Sequence, residues 1–135
     1  MSITNIDFIT SGYRVLTIID EEGIPTAAQA TVGLTVLNEF MASYQKNGYY
    51  FGWYPQTLLP AIAPLQDDDI RNAKLMFIGE LARHYGIDLK KEREDLMGDI
   101  DDAYQEQAKR SVKTFDSDLT GLPFAQGGLF GPGRV

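Results

Sequence analysis

With 135 residues the chain has room for one domain with a modest hydrophobic core and none for a separate catalytic module. Its hydrophobic content of 44% is that of a globular fold, and a net charge of −7 makes a surface that repels duplex DNA instead of gripping it. The lack of cysteine excludes disulfides and thiolate metal sites, and with no signal-like N-terminus and no bilayer-length apolar run the expectation is a soluble protein without an export signal.

The first helix is predicted to start at Thr4, which can cap the backbone amides with Asp7 at the third helical position. Ile6, Ile9, Tyr13 and Leu16 then form one apolar stripe, and Glu21, Glu22, Gly23 and Pro25 close it. Thr26 and Gln29 make a capping box for the second helix, in which Ala30, Leu34, Leu37, Met41 and Tyr44 form one stripe and Val32, Val36 and Phe40 a second. So wide an arc needs cover on two sides, which makes this the expected central helix and leaves Thr31, Thr35, Asn38, Glu39 and Lys46 to solvent.

The helix pattern stops at Gly48 and runs into the aromatic string Tyr49, Tyr50, Phe51, Trp53 and Tyr54. A small bundle can bury two or three of these rings but not easily all five, and aromatics dominate protein interfaces, so the string reads as a partner-binding surface. The uncharged, proline-rich stretch 55–65 cannot be a regular helix and is expected as a long ordered loop or a short hairpin.

Asp67, Asp68 and Asp69 open the third helix, where carboxylates suit the positive end of the dipole. Ile70, Phe77, Ile78, Leu81, Ala82 and Tyr85 give its buried face, and Gly86 stops it. A fourth helix is predicted from Asp88 to Lys113, a surface helix with Leu89, Leu96, Ile100, Ala103 and Gln107 on one narrow stripe. Asp88, Glu92, Asp95, Asp99, Asp102 and Glu106 recur along it at steps of four and three, forming an acidic ridge. Such a ridge is either a solvated face or a surface that meets a basic neighbour, or one past which DNA slides without sticking.

From Asp116 the composition turns glycine- and proline-rich, so residues 116–135 read as a flexible arm beyond a helical domain of residues 1–115. The arm carries Leu119, Leu122, Phe124, Leu129 and Phe130, and the last four are predicted partner contacts. The fold class is all-α: a small four-helix bundle with a long aromatic and proline-rich loop and an extended C-terminal arm.

Catalytic, cofactor and metal sites are not predicted. The lone His84 sits at a helix end where a cation helps the dipole, and the three aspartates lack the alternating oxygen ligands and following glutamate of a calcium loop. A phosphate-binding glycine loop is missing as well.

The Gly23-Ile24-Pro25-Thr26 start, the helix ending VLNEFMASYQKNGYY, the long loop, the helix DDIRNAKLMFIGELARHYG and the charged helix after it resemble the head-to-tail adaptor proteins of tailed bacteriophages. Within that group the pattern looks like the tail accessory factors of short-tailed phages, also called head-completion or packaged-DNA-stabilisation proteins. The resemblance spans residues 3 to 113 and is most specific at LNEFMASYQKNG, a pattern of helix and stop instead of a catalytic signature. It implies a homo-oligomeric ring, typically dodecameric, that docks under the portal protein in the virion neck after assembly in the host cytoplasm. Such a ring extends the DNA channel without binding DNA specifically, retains the packaged genome and offers a platform to tail proteins. The arm would reach along the portal.

Two other classes stay open. A small peptidoglycan-degrading muramidase would need a carboxylate pair in a cleft, to which Glu80 or Glu39 could contribute. A monomeric host-protein-binding module would never form rings.

Overall fold

The structure, a computed structural model, describes residues 2–120, with side chains through residue 112. Within them the protein is all-α, with helices α1 (Asn5–Val15), α2 (Ala27–Lys46), α3 (Asp67–His84), α4 (Leu89–Glu92) and α5 (Glu94–Thr120). None of these helices is long and apolar enough to cross a membrane.

Both predicted N-terminal caps form. Thr4 Oγ1 accepts from the Asp7 amide at 3.2 Å, and the Thr26–Gln29 box closes with bonds of 3.1 and 2.9 Å. At the other ends, α1, α2 and α3 finish in the same way. The residue after each C-cap is left-handed (Thr17, Gly48, Gly86), and the two amides that follow each cap bond back to Arg14 and Tyr13, Gln45 and Tyr44, or Arg83 and Ala82. Glycine is needed at two of these positions because φ is +92° and +71°. Thr17 adopts φ +56° without that freedom, so α1 ends well before the predicted stop at residues 21–25.

The central element is α3, not α2: it touches α1, α2 and α5, whereas α2 meets α1 and α3. Ala73, Met76, Phe77 and Leu81 are fully buried on α3, and Phe8, Ile9 and Tyr13 on α1, so the core lies where these two helices face each other. Phe8, outside the predicted stripe, stacks at 5.4 Å on Phe77. Gly33 lets α2 approach closely, since a Cβ there would lie 2.4 Å from Ile9 Cγ2.

The predicted fourth helix is two. The chain breaks at Arg93 (φ −141°, ψ 67°), whose guanidinium donates to Val15 O at the carbonyl end of α1. After the break, Leu96, Ile100, Ala103 and Gln107 are all buried, as the stripe requires. α5 runs antiparallel to α3, because Gly79 meets Ile100, Asn72 meets Gln107, and Asp69 meets Arg110. Each step down one helix is matched by an equal step up the other. By this register the first residue of α3, Asp67, stands level with Val112, and α5 continues to Thr120. At a rise of about 1.5 Å per residue it overruns α3 by roughly 12 Å. The helix therefore also crosses the residue-116 boundary proposed for the arm.

The stretch 55–65 is a loop laid along the start of α1, with no hairpin of its own. An antiparallel bridge joins Thr4 to Ile62, while the Asn5 and Ile6 amides donate to Ala61 O and Leu59 O, both at 2.9 Å. Two of the amides that every helix leaves unpaired at its N-terminus are thereby satisfied by a distant segment.

Candidate functional site

The five rings after Gly48 do not form one outward surface. Phe51 and Trp53 are 2% and 6% exposed and belong to the core, so they are not free to bind a partner as the sequence reading expected. Phe51 lies 6.4 Å from Phe40. Trp53 donates through Nε1 to Asn38 Oδ1 (3.1 Å), and its backbone N–H and C=O are both held by the Gln45 amide (2.9 and 3.2 Å). Asn38 also takes the Gln56 amide and donates to the Gln56 carbonyl. The side chain expected in solvent is therefore the anchor of the loop. It escapes notice in the sequence because the groups it satisfies are backbone atoms of residues yet to come.

Tyr49 is half-buried, edge-on to Tyr44 and Tyr104 at 5.4 and 5.7 Å. Only Tyr50 and Tyr54 point outward, at 50% and 63% exposure, and Leu58 and Ile62 on the same loop are equally open. These two aliphatic residues were not picked out by the sequence pattern, which favoured rings.

Tyr50 is pinned to the bundle through its backbone. Its N–H donates to Ser111 Oγ (2.7 Å) and its carbonyl accepts from Gln107 Nε2 (3.0 Å), while Gln107 Oε1 accepts from Asn72 (3.2 Å). Asp69, one of the three helix-opening aspartates, is buried and paired with Arg110 at 2.9 Å. Among the described residues no cluster of three or more potential ligands could hold a metal ion.

A cleft of about 500 Å³ between α2 and α3 brings Glu39, Ser43, Tyr44, Glu80, Arg83 and His84 together. Tyr44 donates to Glu80 (2.8 Å) and so accepts from Tyr104, and Arg83 pairs with Glu80 at 3.3 Å. Across the core, Tyr13 donates to the Gln29 carbonyl and accepts from Tyr85. His84 is exposed against Tyr85. Burial first, then these hydrogen bonds, push Tyr44 and Tyr13 far above the ordinary tyrosine value of 10.0, and burial also raises Tyr104. A raised phenol keeps its proton in the native state after the unfolded chain has lost it, so its contribution is complete below pH 10 and declines above it. Urea midpoints should therefore hold up to about pH 10 and fall above it, and Tyr44→Phe should flatten that fall.

The acidic ridge is interrupted. Asp88 caps α4 by accepting from the Lys91 amide, Glu92 ends α4, and the break at Arg93 sets both apart from the edge of α5. Asp95, Asp99, Asp102 and Glu106 remain as one exposed row. Each like-charged neighbour at this spacing costs about 0.2–0.5 kcal/mol. Replacing Asp99 and Asp102 by Asn while leaving Asp95 at the favourable first turn should raise stability by roughly 0.5–1 kcal/mol in low salt, read by thermal unfolding. A loss of stability would mean that the row holds a partner within the chain.

Leu122, Phe124, Leu129 and Phe130 lie outside the described residues. Compared with known proteins, the chain matches no family model, and no curated protein matches it.

Proposed function

We propose that this chain is a non-enzymatic subunit of a phage head-to-tail adaptor: a four-helix bundle carrying a single-turn fifth helix that assembles as a ring beneath the portal, extends the DNA channel, retains packaged DNA and presents a platform to the tail. The observation that carries the reading is the loop 49–65. Part-buried hydrogen bonds from Asn38, Gln45 and Gln107 hold its backbone, yet Tyr50, Tyr54, Leu58 and Ile62 are left open. Spending that much internal bonding on a segment that exposes rings and aliphatic side chains suits a preorganised contact surface. The row from Asp95 to Glu106 fits a face that neighbours DNA without gripping it. The resemblance at LNEFMASYQKNG supplies the kind of assembly.

The competing hydrolase reading draws on Glu39 and Glu80 sharing one cleft. Glu80, however, is engaged inside the cleft, where it accepts from Tyr44 and pairs with Arg83. Mixing the purified protein with portal rings and imaging the product by electron microscopy tests the proposal. A ring added under the portal is the expected result; a chain that stays monomeric and unbound, or turns over peptidoglycan, would refute it.

A further inference from the structure

The buried face of α5 changes chemistry partway along. Leu96, Ile100 and Ala103 enter the core as hydrocarbon, whereas the next positions on the same side, Gln107 and Ser111, are buried and polar. Beside them Arg110 reaches Asp69 at 2.9 Å. Residues 107–111 are therefore docked by polar contacts: Asn72 Nδ2 donates to Gln107 Oε1, Gln107 Nε2 to the Tyr50 carbonyl, and the Tyr50 N–H to Ser111 Oγ, at 3.2, 3.0 and 2.7 Å.

Two of these bonds reach out of the bundle to the aromatic loop. The Tyr49 amide is tied to α2 through the Tyr44 carbonyl, and the Trp53 amide through Gln45, so Tyr50 is the point between them at which the loop is fastened to α5 instead. A left-handed glycine stands on either side, Gly48 at φ +92° and Gly52 at φ +73°, and these bends let the backbone leave α2, meet α5 and return.

We propose that residues 107–112 of α5 are a latch on the aromatic loop: they undock as a unit while residues 96–103 stay in place, and the anchorage of Tyr50 goes with them. The two kinds of contact are the reason. Drawing the hydrocarbon half into water forfeits burial that water does not replace, whereas each polar contact of the second half is exchanged for one with solvent, so its net hold is small. The part that costs less to open is the part that opens first. Because α5 runs on past α3 to Thr120, a partner that takes its projecting end acts directly on the latch. By linkage, a partner that binds Tyr50 in its tied position tightens the docking of α5 in return. The proposal rests on the reading of loop 49–65 as the contact surface and adds how that surface is controlled.

Amide hydrogen exchange of the full chain, followed residue by residue by NMR, tests this without any partner. Relative to its intrinsic rate, the Tyr50 amide should exchange faster than that of Phe77 and with a weaker dependence on urea. Arg110→Gln removes a bond to a charged group from the docked helix without touching the loop, and should speed Tyr50 exchange at least about tenfold. Ile100→Val should speed Phe77 about two- to tenfold and leave Tyr50 unchanged, because Ile100 stays buried when the latch opens. Circular dichroism checks folding; should the glutamine variant lose helix, Arg110→Lys takes its place with a smaller rise of the same kind. If Ile100→Val speeds Tyr50 and Phe77 in step, α5 comes away only with the whole fold and the latch is overturned. Tyr50 exchange indifferent to the change at Arg110 overturns it too, since the loop then opens without the helix. Both measurements use the free subunit, so a failed latch leaves the ring reading to its own experiment beneath the portal.

Discussion

Trp53→Ala should lower folding stability by about 3–5 kcal/mol, the usual cost of emptying a buried indole site. Small domains hold only about 5–15 kcal/mol in total, so the variant sits near the edge of unfolding. Trp53 is 6% exposed, and the Asn38 oxygen it occupies is shared with the Gln56 amide. The loss therefore combines missing packing with a loosened loop anchor. Urea unfolding followed by circular dichroism gives the number, as a shifted midpoint with an unchanged slope. Tyr54→Ala, at 63% exposure, should stay within about 0.5 kcal/mol of the parent. Parental stability in the Trp53 variant together with failed assembly would return that ring to an interface role.

Gln107→Ala should cost about 2–4 kcal/mol, because buried Asn72 loses its acceptor at roughly 1–3 kcal/mol and the part-buried Tyr50 carbonyl loses its donor at about 1 kcal/mol. Gln107 is 1% exposed and bridges Asn72 on α3 to the Tyr50 carbonyl at the start of the aromatic loop. Removing it strands the Asn72 donor in the interior and leaves the part-buried Tyr50 carbonyl without its donor. Gln107→Leu, which restores volume without hydrogen bonds, should recover less than half of the loss. Full recovery by leucine would show that packing, not bonding, is the role of this residue.

Much of the helical frame was legible because its signals are local. Thr4, Thr26 and Gln29 act on amides within one turn, and Gly48 and Gly86 announce left-handed stops. Thr17 performs the same stop with a β-branched residue that carries no such signal, and α1 was read too long. The stripe from Leu96 to Gln107 was legible for its period, and the glutamine in it made sense only once Asn72 and Tyr50 were seen beside it. The aromatic string misled in part, since composition shows that rings cluster but not which are turned inward. Asn38 and Gln45 decide that, and their partners are backbone groups of the following loop. The break at Arg93 was hidden for a like reason: its bond to the Val15 carbonyl spans 78 residues.

The bonds that close the start of α1 bear on the order in which the protein folds. Asn5 Nδ2 reaches Gln56 and Leu58, partners 51 and 53 residues away, and the first amides of the helix end on the same segment. The first turn of α1 leaves the ribosome before residues 56–63 but is completed only after they have emerged and docked, a loop closure whose entropy must be met before the contact rewards it. In hydrogen exchange the amides of Asn5, Ile6 and Ala63 should accordingly open together, as one cooperative unit drawn from both parts of the chain.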